Sequence, residues 1–324
     1  MAEEAKWRRV ISRHPWIGPL TALITVYLLF VALRPDTFAS SINLMTMARQ
    51  TAVVGVASVG MTLIIILGGI DLSAGSAVAL TTVVIASALR GGAGPIAAAL
   101  AGIAVAASAG LLNGLFISGL RITPFIVTLG AMSILRGAAK GLAREQKIDA
   151  DPQGLDLLAA PPSHGALLFP PAVWILVVVA LLAAVLLRLT RVGRYIYAIV
   201  SNEQTARLCG VPVARVKVAV YTLAAALTGL AGVIEFSTLT VGDPTDSVGL
   251  ELDVIASVVI GGGSLSGGSG SILGALIGAF LMTVIKTGCT YVGLPNWVQE
   301  LLTGAIIVAA VALDRLRSRG AGAR

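Results

Sequence analysis

The sequence predicts an all-α integral membrane protein with about ten transmembrane helices. Hydrophobic residues make up 56% of the chain and charged residues only 12%, against about 25% charged residues in a soluble domain. The apolar residues lie in long runs, and a helix needs about 20 such residues to cross a bilayer. Strands of a membrane barrel would alternate in polarity, which these runs do not, so the spans are predicted to be helices.

The predicted transmembrane domain covers residues 17–313. It lies between a cytoplasmic N-terminal segment, residues 1–16, and a basic cytoplasmic tail, residues 314–324. Charged, proline-rich or glycine-rich segments separate its apolar runs. The predicted spans are residues 17–33, 43–67, 76–89, 96–117, 124–139, 172–187, 218–239, 252–262, 272–285 and 297–313.

Lys and Arg residues predict the orientation, because cytoplasmic loops are enriched in them. They concentrate before the first span, in the segment 190–217 and after the last span. Six spans before that segment and four after it place both termini and the segment in the cytoplasm. The acidic loops around Asp149 and Asp243 then lie outside, although Arg144 and Lys147 are there too. This distribution explains the net charge of +7 without a nucleic-acid partner.

A short glycine-rich sequence nearly occurs twice, as Gly68–Ser76 and Gly261–Ser269. Each copy lies between two apolar runs, and glycine-broken spans at matching positions are typical of a path near the membrane midplane. The alternative is chance similarity between glycine-rich segments. The span count places both copies on one side of the membrane, whereas many such repeats are inverted. Either a short span is miscounted, therefore, or the repeat is parallel.

Residues 202–212 have the pattern of a short surface helix. Asn202 is a suitable N-cap and Glu203 a favourable first-turn residue, while Gly210 and Pro212 stop the helix. A helix is therefore predicted over Glu203–Cys209. The pattern leaves open whether this helix has a partner.

Several polar residues interrupt the apolar runs, and such residues are functional candidates. Asp71, together with Ser73, either caps the short helix that follows, faces a ligand, or does both. Glu235 and Glu300 are expected to face the interior of the helix bundle. Other polar side chains either line a path or form hydrogen bonds between helices. They are Asn113, Thr128 and Gln299.

The sequence offers no catalytic or metal site. It has neither a Gly-x-x-x-x-Gly-Lys-Ser/Thr phosphate loop nor a Gly-x-Ser-x-Gly motif. His14 and His164 lie outside the spans, and Cys209 and Cys289 are predicted on opposite sides of the membrane. We therefore expect no catalytic residue, bound metal or cofactor in this chain.

Four segments carry a resemblance to a known family. They are Gly68–Ser76, Thr123–Gly137, Gly193–Lys217 and Val259–Gly263. In this order, within residues 43–313, they resemble the ribose-type permease subunits of ABC importers (BPD transport family 2). The resemblance implies a multi-pass protein of the cell inner (plasma) membrane. It also implies an ABC ATPase that uses ATP on the cytoplasmic side, a periplasmic sugar-binding protein, and a second permease subunit in a homodimer or heterodimer.

The same resemblance implies roles for individual residues. The helix near 203–209 corresponds to a coupling helix that contacts the ATPase, although Thr205 and Cys209 depart from the usual family pattern. Its contact residues are predicted to be Asn202, Glu203, Ala206, Arg207, Leu208, Gly210 and Val211. The candidates for the translocation path are Asp71, Ser73, Ser76, Asn113, Phe125, Thr128, Gly261, Gly262, Gln299 and Glu300.

Two other functions fit parts of the sequence. An ion-driven transporter needs a relay of charged residues, for which Asp71, Glu235 and Glu300 are available, but it leaves the coupling helix unexplained. An intramembrane enzyme needs a base that the spans lack. The substrate stays open among pentoses, hexoses, polyols and signalling sugars. The loops 140–171 and 241–249 are either docking surfaces for the binding protein or plain solvated loops.

Overall fold

The computed structural model describes residues 16–161 and 168–322, with side chains up to residue 312. Most of the N-terminal segment, His14, His164 and the last two residues lie outside this range. The helices are α1 (Ile17–Leu33), α2 (Pro35–Phe38), α3 (Ser41–Ile66), α4 (Ala74–Arg90), α5 (Pro95–Gly119), α6 (Pro124–Leu142), α7 (Pro171–Leu189), α8 (Arg191–Ser201), α9 (Glu203–Leu208), α10 (Val213–Leu239), α11 (Leu250–Ile260), α12 (Ile272–Val292) and α13 (Asn296–Gly322).

Local sequence explains where these helices begin. Proline opens α2, α5, α6 and α7, where its missing amide hydrogen costs nothing. Serine side chains cap α3 and α12: Ser40 Oγ accepts from the Asn43 amide (3.3 Å), and Ser271 Oγ accepts from the Gly274 amide (3.3 Å). The boundaries therefore follow standard capping rules.

Six helices in the described part of the chain are long and apolar enough to cross a membrane, namely α3, α5, α6, α7, α10 and α12. Three shorter apolar helices are α1, α4 and the Asn296–Ala312 part of α13. The prediction of an all-α, multi-pass membrane protein is confirmed. The helix that matches the eighth predicted span, α11, has 11 residues. At a rise of 1.5 Å per residue it is about 16 Å long, too short to cross a hydrocarbon core of about 30 Å alone.

The centre of the fold is formed by α3 and α10. In an apolar 18-residue stretch of each helix, 83% of the residues of α3 and 56% of those of α10 are buried, against 22% in α5 and 17% in α6. Helix α10 packs on α3, α4 and α5. At Gly110 of α5, a Cβ atom would lie only 2.4 Å from the Tyr221 carbonyl oxygen of α10. Such close approach of membrane helices requires small residues at the contact.

The two glycine breaks end their helices in the same way. The amides of Gly68 and Gly69 donate to Ile65 and Ile64, and the amides of Gly262 and Gly263 donate to Val259 and Val258. Gly68 (φ +85°) and Gly262 (φ +92°) hold the left-handed position of this C-cap. The structure thus pairs Gly68 with Gly262, one residue later than the sequence comparison pairs them.

The two breaks also touch each other. The Gly268 amide donates to the Ile66 carbonyl oxygen (2.9 Å), and a Cβ atom on Gly267 would lie 2.9 Å from Gly68 Cα. Both copies of the glycine-rich sequence therefore lie at one end of the bundle. Beyond the glycines the copies diverge, because α4 begins at Ala74 and α12 only at Ile272.

A two-stranded antiparallel ribbon lies at the opposite end of the bundle. It joins β1 (Ile148–Asp149) to β2 (Val241–Gly242), with Ile148 opposite Gly242. A short 3-10 turn, Leu155–Leu158, follows β1. Helix α10 begins beside α9 and ends at β2, so these two ends are one long helix apart. We call them the α9 end and the ribbon end.

Candidate functional site

The predicted short surface helix is α9, and its caps are the predicted ones. Asn202 Oδ1 accepts a hydrogen bond from the Thr205 amide (2.9 Å). Gly210 (φ +81°) follows the helix, and its amide donates to the Arg207 carbonyl oxygen (3.0 Å). The helix over Glu203–Cys209 is therefore confirmed, except that it ends at Leu208.

Glu203 makes two ion pairs, one within α9 and one that holds α9 against α10. Glu203 binds Arg207 one helical turn later (2.6 Å), and its other oxygen binds Lys217 of α10 (2.7 Å). Hydrogen bonds from Arg207 and then Lys217 lower the pKa of the Glu203 carboxyl. Ala206 is buried against the bundle. The orientation of α9 is thus fixed by one buried residue and one shared carboxylate.

The opposite face of α9 is exposed. Leu208 is 89% exposed, and Cys209 is also exposed. An apolar side chain presented this far from the bundle is available to a partner. Beside α9 lies a cavity of about 790 Å³, lined on its other side by Gly68, Gly69 and Thr123. The short helix and the first glycine break therefore border the same space.

Asp71 lies in a buried hydrogen-bonded cluster next to that break. Its Oδ1 accepts from the Ser73 amide (2.8 Å) and the Ser73 hydroxyl (2.5 Å). Asn113 Nδ2 of α5 donates to Ser73 Oγ (3.4 Å), and Thr128 Oγ1 of α6 donates to the Ile70 carbonyl oxygen (3.1 Å). Asp71 is only 4% exposed. The cluster joins the break to α5 and α6. The predicted capping of α4 is not seen, because the N-cap residue Ser73 makes no side-chain capping hydrogen bond and Asp71 closes a local turn onto the Ser73 amide before the helix begins. A role of Asp71 in the path stays a prediction.

The other predicted path residues are dispersed over the bundle. Phe125 is exposed on α6, Ser76 is buried in α4, and Gln299 Nε2 donates to Thr290 Oγ1 (3.3 Å) and the Leu294 carbonyl oxygen (3.2 Å). At Gly261 a Cβ atom would lie 2.3 Å from the Gly274 carbonyl carbon, so this glycine serves close packing of α11 on α12, with Gly262 forming the C-cap.

The expected orientation of Glu300 is wrong for this chain. Glu300 is exposed, whereas Glu235 is partly buried as expected. The reason is that α13 packs mainly against α11, which covers only one side of it. Glu300 lies on another side, in the second turn of α13.

Charged residues at the ribbon end connect two loops. Lys147 beside β1 pairs with Asp243 beside β2 (3.0 Å). Arg136 Nη1 of α6 donates to the carbonyl oxygens of Pro244 (3.0 Å) and Asp246 (2.6 Å). The hydrogen bond and charge of Asp243 raise the pKa of Lys147. The described part of the first loop, residues 140–161, is thus linked to the loop 241–249.

A second cavity, of about 460 Å³, opens at the ribbon end. We call it the ribbon-end cavity. Its walls come from α3, α10, α11, α12 and α13, and its polar lining includes Asn43, Gln50, Glu235, Asp246, Asp253, Lys286, Thr287 and Gln299. Asp253 of α11 and Lys286 of α12 form an ion pair through Asp253 Oδ2. Thr287 Oγ1 donates to Gln50 Oε1 of α3 (3.1 Å).

Residues 43–311 match a family described as "Branched-chain amino acid transport system / permease component". The chain belongs to this permease family. The match covers the glycine breaks, α9 and the residues of the ribbon-end cavity.

Curated relatives of the permease carry sugar names. Ribose import permease protein RbsC of Escherichia coli (strain K12) is 38% identical over 296 residues, 91% of this chain and 92% of RbsC. RbsC of Bacillus subtilis (strain 168) is 37% identical over 311 residues, 93% of each chain. Fructose import permease protein FrcC of Rhizobium meliloti is 32% identical over 317 residues, 96% of this chain and 88% of FrcC. The resemblance to ribose-type ABC importer permeases is confirmed. No solved structure matches the chain significantly.

The ion pair between Asp253 and Lys286 was not predicted from the permease sequence. The charged residues predicted to matter within the spans were Asp71, Glu235 and Glu300. The sequence contains a signal for this ion pair, because Asp253 lies in the eighth predicted span and Lys286 directly follows the ninth. Opposite charges in neighbouring apolar helices are expected to pair. The sequence does not reveal that Gln50 of α3 faces the same space.

Proposed function

We propose that the permease is the membrane-spanning subunit of an ATP-driven importer for a monosaccharide or a related polyol. The observation that carries this proposal is α9, a capped helix with an exposed leucine that is held to α10 through Glu203 and Lys217. In the proposal α9 fits into a cleft of a cytoplasmic ABC ATPase. The chain itself binds no cofactor, and the partner uses the ATP. The names of the relatives support a sugar as cargo.

The proposal includes an arrangement in the membrane. Ten helices cross or enter the bilayer, both termini and residues 190–217 face the cytoplasm, and the protein lies in the inner membrane. A second permease subunit, identical or related, completes the path. Large apolar side chains exposed on α5, α6 and α7 suit contact with lipid or with that subunit.

The outer surface formed by loops 140–171 and 241–249 is the proposed docking site of the periplasmic sugar-binding protein. Support comes from the contacts of this surface. The ribbon and the pair between Lys147 and Asp243 link the two loops, and Arg136 of α6 binds the backbone of the loop 241–249. A preorganised surface loses less conformational entropy on binding than separate loops would.

The proposed coupling is tested by changing the exposed face of α9. Leu208→Asp should reduce ATP-dependent sugar uptake by about tenfold or more, as a loss of about 1.4 kcal/mol in ATPase contact would do. The matched control is Cys209→Ser, an exposed neighbour whose change in size and charge is minimal. Both variants should insert normally, and Leu208→Asp should co-purify with less ATPase. Wild-type uptake by Leu208→Asp would contradict the assignment of α9.

A further inference from the structure

The ribbon-end cavity has the dimensions of a small-molecule site. Its volume of about 460 Å³ lies in the range of roughly 300–1,000 Å³ typical of ligand pockets. Five helices contribute to its walls, and in the proposed orientation it opens on the outer side. None of the residues of the Asp71 cluster lines this cavity. The cavity is therefore a separate polar space from the glycine break.

Two deeply buried residues of this cavity keep an oxygen without a hydrogen-bond partner among the described residues. They are Asn43, through Oδ1, and Asp253, through Oδ1. Asn43 is 1% exposed and Asp253 is 4% exposed. Buried polar atoms in native proteins nearly always have a partner, so an unpaired one requires an explanation. Both oxygens are closed to solvent in the structure, so a ligand with donor groups would provide the missing hydrogen bonds once these side chains turn toward the cavity.

Donors lie next to these acceptors. Lys286 Nζ has three hydrogens and donates one of them to Asp253 Oδ2. The bond from Thr287 to Gln50 Oε1 orients the Gln50 amide at the cavity wall. The lining thus combines acceptors and donors within one space. A hydroxyl group both donates and accepts, so a ligand rich in hydroxyls matches this combination.

The charge of the lining restricts the ligand further. The lining has three carboxylates, on Glu235, Asp246 and Asp253, and one basic residue, Lys286, while Arg136 of α6 lies close to Asp246 outside the lining. An excess of carboxylates repels anions such as phosphorylated sugars. Since Lys286 neutralises Asp253, this ion pair is not expected to bind a cation. A neutral polyhydroxylated molecule fits the lining best.

We propose that the ribbon-end cavity is the outward-facing substrate site of the permease, where the Asp253–Lys286 pair, Asn43 and Gln50 bind hydroxyl groups of a neutral sugar or polyol. This inference rests on the proposed function and adds the place and the residues of substrate contact. The pair then has two roles, because it links α11 to α12 and binds the substrate.

The first test measures uptake by the complete importer, with its ATPase and binding protein, in proteoliposomes. The probes are ribose and fructose. Asp253→Asn and Lys286→Gln should each lower the initial rate about 10-fold to 100-fold, as expected for losing a hydrogen bond to a charged group. The control is Arg90→Gln, an exposed basic residue at the same end of the bundle but outside the cavity.

The double variant Asp253→Asn/Lys286→Gln separates substrate binding from simple pairing. If the pair only stabilises the fold, removing both charges restores uptake relative to the single variants. If both residues bind substrate, the double variant is at least as impaired as the worse single variant. Recovery in the double variant, or single variants within about twofold of wild type, would overturn the proposal.

A second test does not depend on transport. Thr287→Cys is introduced together with Cys209→Ser and Cys289→Ala, and a membrane-impermeant thiol reagent is added from the outer side. Millimolar ribose or fructose should slow its labelling. Leu157→Cys, exposed in the outer loop, should label equally fast with or without sugar. Absence of protection at Thr287→Cys by a sugar that the wild type imports overturns the inference, whereas ATP-driven uptake of no monosaccharide or polyol by the wild type overturns the proposed function.

Discussion

The α9 end and the ribbon end both place polar side chains among apolar helices, but they bind different partners there. At the α9 end, Asp71 Oδ1 accepts two hydrogen bonds from Ser73, and Thr128 donates to a backbone carbonyl. At the ribbon end, Asp253 pairs with Lys286 through one oxygen and leaves the other without a partner among the described residues. Polar residues within the spans therefore serve two purposes. Asp71 completes a backbone turn, whereas Asp253 belongs to the proposed ligand site.

The largest effect on stability is expected from Asp71→Ala. The Ser73 amide and hydroxyl would lose their acceptor in a buried place, which costs about 1–3 kcal/mol of unfolding free energy. Thermal unfolding of the purified permease in detergent measures this loss. Asp253→Asn, which keeps the shape of the side chain, should shift the melting temperature less. If Asp71→Ala unfolds like the wild type but does not transport, then Asp71 serves transport and not the backbone turn, which contradicts the difference drawn between the two ends.

The next effect concerns the two ion pairs of α9. Glu203→Arg with Arg207→Glu preserves their mutual attraction but places an arginine against Lys217. Uptake should fall by about tenfold, equivalent to about 1.4 kcal/mol. Adding Lys217→Glu restores both pairs with reversed sign, and uptake should largely recover. If uptake does not recover in the triple variant, the ATPase interacts directly with the positive charge of Arg207.

The sequence predicted the α9 end better than the ribbon end for a physical reason. Capping at Asn202, Gly210 and Gly68 depends on neighbouring residues, and local rules describe it. The ribbon-end cavity depends on contacts between distant segments, such as Gln50 with Thr287. Hydrophobic patterns place each helix in the membrane but do not fix its rotation, which also explains the wrong expectation for Glu300.

A smaller effect is expected from Lys147→Ala at the ribbon end. The Lys147 side chain is 66% exposed, so its pair with Asp243 should contribute little to the free energy of unfolding. The contribution should shrink further at high salt, because exposed pairs are screened. Melting temperatures at low and high ionic strength measure it. A large, salt-independent loss would show that the two outer loops depend on this pair more than its exposure indicates.

The smallest effect is the pH dependence of α9. Since its partners lower the pKa of Glu203 below the usual 4.5, the pairs stabilise the fold above that pH and are lost as the pH falls through the lowered pKa. The side chain is partly exposed, so Glu203→Gln should cost only about 0.5 kcal/mol at neutral pH. The difference in melting temperature between the variant and the wild type should disappear in acid. A difference that grows in acid would contradict the lowered pKa.

The most direct measurement for the account as a whole is sugar uptake into proteoliposomes that contain the permease with its ATPase and binding protein. ATP is enclosed on the ATPase side and held constant, and ribose or fructose is supplied with the binding protein. Sugar accumulation should require ATP hydrolysis and persist when a protonophore removes the proton gradient. Uptake that continues without ATP and stops with the protonophore would contradict this expectation and would favour an ion-driven transporter.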